Sequence, residues 1–227
     1  MFKKLIDLFF PKICCGCKEV LLQHENVICT WCRHEIPLTE FYRNPDNEAA
    51  KKFYGRLPVE HASAFMYFNK KGIVQEIIHS LKYRGHEEIG TVIGKWYAED
   101  LKSIALDQTI DCIIPVPLHK KRLRQRGFNQ VTAFGKALSE TLQVHYDPGL
   151  LLRKIYSETQ SRKNRQQRAY GSETIFDVVF TDEHHGKHFL LIDDVLTTGA
   201  TLESCGKAIL KIPGAKLSVV TMAMSHS

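Results

Sequence analysis

Apolar positions recur along this chain with two spacings. Residues 1–12 place Phe2, Leu5, Ile6 and Phe9 on one face of a short predicted helix. His61–Phe68 has the pattern of a strand, and Ile73–Tyr83 and Glu88–Leu101 have helical periodicity. Ile110–Val116, apolar apart from Asp111, and the continuous apolar run Phe189–Ile192 read as buried strands. Phe128–Val144 and Ala200–Ile212 read as helices, and Leu217–Ala223 as a closing strand. Strands alternating with helices predict an α/β domain, a mostly parallel sheet flanked by helices. Turn-formers cluster between residues 37 and 60 (Pro37, Asn44-Pro45-Asp46, Gly55, Pro58) and mark a connector. The expected organisation is a small module over 1–45, a connector over 46–60 and the α/β domain over 61–227.

Composition narrows the class. With 44% hydrophobic and 25% charged residues in 227, the chain is not disordered. No apolar stretch approaches the ~18–20 residues needed to span a bilayer, so no integral membrane segment is expected. The basic, partly apolar start MFKKLIDLFFPKICC is interrupted by Asp7 and Pro11, and no small-residue cleavage site follows. That argues against a secretory signal and for a cytoplasmic protein, which removes the main support for a disulfide framework.

The cysteines then need another explanation, since five of the seven lie in the first 32 residues. Cys14-x-x-Cys17 and Cys29-x-x-Cys32 are separated by eleven residues. Two such turns supply a closed tetrahedral shell of four thiolates, the pattern of structural zinc. A module this small buries little core, and zinc would contribute on the order of 10 kcal/mol to its folding. Cys15 competes with Cys14 for one ligand position, and His24 and His34 are weaker substitutes. A redox C-x-x-C pair or incidental thiols are the alternatives.

The most specific segment is Phe189-Leu-Leu-Ile-Asp-Asp-Val-Leu-Thr-Thr-Gly-Ala-Thr201. In an open α/β sheet, ligands bind beyond the carboxyl ends of the strands, where Asp193 and Asp194 emerge. The following Thr197-Thr198-Gly199-Ala200-Thr201 turn offers backbone N–H groups, hydroxyls and a helix N-terminus, which together make a phosphate cradle. The acids repel phosphate and suit ribose hydroxyls or Mg²⁺ instead. Side by side, the two features describe a ribose-5-phosphate site. A capped turn beside solvated acids accounts for the threonine but not for the whole arrangement.

Leu190–Thr201 resembles the motif of type I phosphoribosyltransferases that binds phosphoribosyl pyrophosphate (PRPP). From about Pro11 onward the chain resembles the ComF/ComFC family, including GntX-like proteins, in which a zinc-ribbon-like module precedes a phosphoribosyltransferase-like domain. The paired cysteines, Leu81-Lys-Tyr-Arg-Gly85, Pro115-Val-Pro-Leu-His119 and Arg126-Gly-Phe-Asn-Gln130 carry the rest of the match. The resemblance implies PRPP contacts from Asp193, Asp194, Val195, Thr197, Thr198, Gly199, Ala200 and Thr201. It places pyrophosphate at Pro115, Val116 and Pro117 with Lys82, Arg84, Arg122 and Arg126; within the basic run that begins at Lys120, the residues Lys121 and Arg124 stay undecided. Residues 157–171 stand where the family has a mobile loop, with Gln160, Arg165 and Arg168 matching; Tyr170 and Gly171 stand where an Asn is common. The implied reaction displaces pyrophosphate, carried with Mg²⁺, from the anomeric carbon of ribose by a nitrogen nucleophile. Asp193, Asp194 and Arg126 are the expected catalytic residues. No general base is evident, His79, His86 and His119 being candidates by residue type alone.

Three functions follow as expectations. The first is a phosphoribosyltransferase with an unidentified acceptor. The second, implied by ComF resemblance, is a PRPP-binding protein of natural transformation. It would handle incoming single-stranded DNA with the uptake machinery at the inner face of the cytoplasmic membrane, with Tyr83, Phe128 and Tyr170 available for stacking. The third, a thiol enzyme using Cys112 or Cys205, lacks an evident His partner. A dimer is left open. Charge sharpens the picture: the formal net charge is +6, yet residues 118–168 hold twelve Lys+Arg against three Asp+Glu. The basicity is concentrated where pyrophosphate or nucleic acid would be held.

Overall fold

Four consecutive buried apolar residues, Phe189–Ile192, form the centre of the sheet. The computed structural model describes residues 11–154 and 175–225. Its main sheet has five strands: β1 (His61–Phe68), β2 (Cys112–Pro115), β3 (His145–Tyr146), β6 (His188–Leu196) and β7 (Lys216–Ser225). The spatial order is β1-β7-β6-β2-β3, and every neighbouring pair is parallel. A separate antiparallel ribbon joins β4 (Leu151–Arg153) to β5 (Phe176–Val178). The expected α/β class, a mostly parallel sheet flanked by helices, is what the chain forms.

Side-chain alternation along β6 divides the core in two. Leu190 and Ile192 face a cluster built on α3 (Ile73–Tyr83), α4 (Glu88–Ser103) and α6 (Val131–Leu142). Phe189 and Leu191 face a second cluster with α2 (Glu48–Lys51) and α7 (Ala200–Ile209). The cysteine segment, including α1 (Thr30–Glu35), joins the first cluster through Cys14, Cys15, Val27, Ile28 and Cys32.

Several elements depart from the apolar pattern. β6 runs on through Asp193 and Asp194 to Leu196, because β7 continues to pair with it. The basic run forms a helix, α5 (Lys120–Arg126), that buries no residue and so shows no apolar stripe. The predicted helices over 128–144 and 200–212 are shorter, as Val131–Leu142 and Ala200–Ile209. The stretch from 37 to 60 is tied down along its length. Pro37 and Thr39 bond the free edge of β1, through Tyr67 N–H to the Pro37 carbonyl and Thr39 N–H to the Phe65 carbonyl. Buried Asn47 caps α2, and its amide donates to the carbonyls of Phe41, Asn44 and Ala62. The predicted helix over 1–12 lies outside the described residues except for its last two positions.

Candidate functional site

The two neighbours of β6 part company at its carboxyl end. Pairing with β2 stops at Pro115 opposite Ile192, followed by one bond from Val116 N–H to the Ile192 carbonyl (2.9 Å). Pairing with β7 continues past Asp193, opposite Thr221, as far as Leu196. Asp193 and Asp194 therefore stand on strand whose β2 side has been vacated, the position where open α/β sheets bind ligands. Pro117 turns the chain away without offering a donor of its own. The Asn129 side chain donates to the Val116 carbonyl at 3.0 Å and fixes that loop.

A cavity of about 200 Å³ opens there. Asp193, Asp194, Val195 and Thr201 line one side, and Val116, Pro117, Leu118 and His119 line the loop side. Lys82, Arg122, Arg126 and Arg153 bring four cations to it, with Asn129 and Gln130 between them. Lys82 Nζ lies 2.9 Å from Asp194 Oδ2. Burial, reinforced by the neighbouring Asp194 carboxylate, pushes Asp193 up to about 7 even though the Asp194 N–H bonds its Oδ1 at 2.8 Å. A second basin of about 540 Å³ adjoins the cavity, lined by Lys82, Tyr83, Gly85, Arg122, Gln125 and Arg126. Arg126 is held at the junction. Its guanidinium donates to Gln130 Oε1 and lies 5.1 Å from the centre of the Tyr83 ring. His79 packs on that same ring, at 5.0 Å between centroids.

The phosphate-type turn follows directly. Gly199 is the N-cap of α7 with φ +78°, a left-handed conformation that costs glycine nothing. A Cβ there would meet Phe53 Cε1 at 3.4 Å, ordinary contact, so the backbone conformation rather than lack of space selects glycine. Thr197, Thr198 and Ala200 are exposed around the buried Gly199. The connector supports the turn from beneath. Arg56 Nη1 donates to the carbonyls of Thr198 and Lys52, both at 3.1 Å, and its guanidinium pairs with Glu203 on α7.

The sequence-predicted residues thus separate into groups. Lys82, Val116, Pro117, Arg122, Arg126, Asp193, Asp194, Val195 and Thr201 share the cavity. Thr197, Thr198, Gly199 and Ala200 form the adjoining turn rather than the cavity wall. Pro115 is buried in β2, and Arg84 is exposed at the end of α3, lining neither cavity. Lys120, Lys121 and Arg124 are exposed on α5. Gln160, Arg165 and Arg168 lie outside the described residues. His119 caps α5, accepting from Lys121 N–H, and His86 pairs with Glu88. Sequence reasoning assigned no role to Arg153, Asn129, Gln130 or Arg56. Asn129 and Gln130 belong to a quoted motif, whereas Arg153 and Arg56 arrive through long-range folding that no local pattern signals. Cys112 is pushed up to about 12 by burial, and burial also raises Cys205 well above an ordinary thiol. Both thiols are therefore poor nucleophiles, contrary to a thiol-enzyme role.

At the other end of the chain, Cys14, Cys17, Cys29 and Cys32 bring their sulfurs within 4.8 Å of one another. Cys17 and Cys29 are 3.7 Å apart. Four thiolates at about 2.3 Å from zinc would be separated by about 3.8 Å, so the spacing fits a tetrahedral ion. Backbone N–H groups of Gly16 and Cys29 point at Cys14 Sγ, each at 3.3 Å. Burial works to raise Cys14, but bonds from the Cys29, Cys17 and Gly16 backbone outweigh it and hold the thiol down at about 7. Burial and neighbouring thiols push Cys32 up, a cost that a bound cation would relieve. Gly16 fits because a Cβ there would lie 2.8 Å from Cys32 Sγ and 2.9 Å from Ile73 Cγ2. Cys15 stays out of the tetrad, buried, and is raised to about 11 mainly by burial. His24 and His34 are exposed and take no part in the cluster.

No family model matches the chain. It is similar to Competence protein ComFC of Bacillus subtilis (strain 168), 27% identical over 216 residues covering 95% of this chain and 85% of that protein. It is also similar to DNA utilization protein YhgH of Escherichia coli (strain K12), 27% identical over 147 residues, 63% of each chain. The ComFC alignment carries the resemblance to the ComF/ComFC family across nearly the whole chain, and the YhgH alignment across about two thirds of it. Among solved structures, adenine phosphoribosyltransferase from Leishmania tarentolae aligns over 80% of this chain and 89% of that one, at 12% identity and a TM-score of 0.38. No helix among the described residues is long and apolar enough to cross a membrane.

Proposed function

We propose that this ComF-like chain binds PRPP with Mg²⁺ and transfers its phosphoribosyl group to a nucleophilic acceptor with release of pyrophosphate. The observation that supports it is the juxtaposition of an acid pair on a one-sided strand end, a left-handed glycine turn at a helix N-terminus, and four cations across one cavity. In this reading Asp193 and Asp194 hold the ribose hydroxyls, and the N–H groups of residues 198–201 take the 5-phosphate. Arg122 and Arg126 hold the pyrophosphate, Arg guanidinium groups matching two phosphate oxygens at once. Mg²⁺, bound with the pyrophosphate, neutralises charge on the leaving group. Arg126 is a catalytic residue here because its charge faces the bond that breaks, and its bond to Gln130 keeps it there before the ligand arrives.

The tetrad of Cys14, Cys17, Cys29 and Cys32 would hold structural zinc in a module over residues 1–45, joined through 46–60 to the ligand-binding domain. All four positions are then filled by thiolate, which leaves no open coordination site for catalysis.

A second reading gives the same ligand a regulatory role in handling single-stranded DNA during natural transformation, at the inner face of the cytoplasmic membrane. The names of the relatives, Competence protein ComFC and DNA utilization protein YhgH, favour it. So does α5, whose five cations include Lys120, Lys121 and Arg124 outside the cavity lining and open to a polyanion. Stacking on Tyr83 is restricted, since Arg126 and His79 already pack on its ring. Pyrophosphate release, measured with PRPP and Mg²⁺ in the presence of free bases or single-stranded DNA, decides between the two. Release supports transfer; PRPP binding without release, with salt-sensitive DNA retention, supports the second reading.

A further inference from the structure

Lys18 carries a backbone conformation that lysine rarely adopts. Its φ is +68°, in the left-handed region where glycine is free and other residues bear strain. It sits directly after Cys17, and its N–H closes the first cysteine turn onto the Cys14 carbonyl at 3.0 Å. Glycine would satisfy that turn at lower cost. The lysine side chain is engaged on three sides: its ammonium lies 2.8 Å from the Cys15 carbonyl, 3.1 Å from Ser80 Oγ and 3.1 Å from Glu76 Oε2. Ser80 and Glu76 belong to α3, and Ser80 is 1% exposed. Two residues beyond Ser80 is Lys82, whose ammonium meets Asp194. Next comes Tyr83, on which Arg126 rests.

Helix α3 is thus held by the cysteine turn at its first turn, through Glu76, and at its last, through Ser80, and ends in the ligand cavity. With a rise of about 1.5 Å per residue, its eleven residues make a strut of roughly 16 Å. We propose that Lys18 is a positioning residue for the phosphoribosyl site, clamping α3 to the cysteine turn and so holding Lys82 and Tyr83 in register with Asp194 and Arg126. The cysteine module then serves the site mechanically. The proposal rests on the ligand reading given above, but its clamp can be measured without ligand.

The test uses the full, metal-loaded chain. Lys18→Gly relieves the left-handed strain while removing the clamp, and Lys18→Arg keeps a cation. Lys18→Gly is expected to retain its bound metal and its melting temperature. Amide exchange at Ser80–Arg84 should accelerate, and PRPP·Mg²⁺ affinity should fall roughly two- to thirtyfold, with partial recovery in Lys18→Arg. Glu76→Gln repeats the test from the helix side without touching the cysteine turn, and the same loosening is expected. Unchanged exchange at Ser80–Arg84 in both Lys18→Gly and Glu76→Gln overturns the clamp, whatever the ligand result. A wild-type chain that ignores PRPP·Mg²⁺ while the exchange changes appear would overturn the ligand reading and leave the clamp standing.

Discussion

The Lys82 ammonium lies 2.9 Å from an Asp194 carboxylate oxygen, with side chains only 21% and 16% exposed. Before any ligand arrives, Lys82 is the cation paired with this acid pair, while Arg122, Arg126 and Arg153 line the same cavity. Replacing Lys82 by Met should tighten binding of Mg²⁺ alone, because the acid pair loses its internal counter-ion. The same change should weaken PRPP·Mg²⁺ by about tenfold or more, equivalent to about 1.4 kcal/mol. Titration calorimetry with each ligand separately checks both directions; equal weakening of both would contradict this role for Lys82.

Asp193 carries a pH-dependent cost. Its folded-state value is raised to about 7 by burial and by Asp194, while an unfolded aspartate titrates near 3.9. Between those values the unfolded chain has released the proton and the folded chain retains it. Stability is therefore lost as pH rises from about 4 to about 7, and the loss persists above that. Asp193→Asn should raise the melting temperature at pH 8 more than at pH 5, by about 2–4 °C for each kcal/mol recovered. Ligand affinity should fall in the same variant. A melting curve lowered at pH 8 would refute the strained-acid account.

Gly199→Ala should fold, since the space around the Cβ is adequate. It should nevertheless lose about 1–2 kcal/mol from the left-handed backbone. Relaxation of that backbone would turn the N–H groups of the turn away from a phosphate. The expected outcome is a lower melting temperature together with a much smaller upward shift on adding PRPP·Mg²⁺. A full ligand-induced shift would refute the cradle.

Metal analysis of the purified chain should find one zinc per molecule. Cys17→Ser or Cys32→Ser should lose it, whereas Cys15→Ser should retain it, because the Cys15 thiol lies outside the tetrad. Chelation should lower the melting temperature of the wild type, since metal affinity of this kind is folding free energy. A metal-free chain with an unchanged melting temperature would remove the four-thiolate site.

What the sequence made legible follows from how local each signal is. The bounds of Ile73–Tyr83 are legible because one periodic apolar stripe defines it, and those of His61–Phe68 because a mostly apolar run lies between Pro58 and Gly72. The acid pair and its glycine turn were legible because twelve consecutive residues carry them. β3, β4 and β5 have two or three residues each, too few to show a period. The end of β6 was misread because Asp193 and Asp194 look like loop residues until β7 is known to pair with them. Arg153 and Arg56 could not be placed from sequence, since each reaches the site from a distant segment: Arg153 from the end of β4, and Arg56 over 142 residues to the Thr198 carbonyl.

Titration calorimetry of the metal-loaded chain with PRPP, with and without Mg²⁺, measures whether the cavity takes this ligand. The account predicts one binding site per chain, dependent on Mg²⁺, accompanied by a raised melting temperature and abolished in Asp194→Asn. No heat of binding and no melting shift at millimolar PRPP and Mg²⁺ would contradict it.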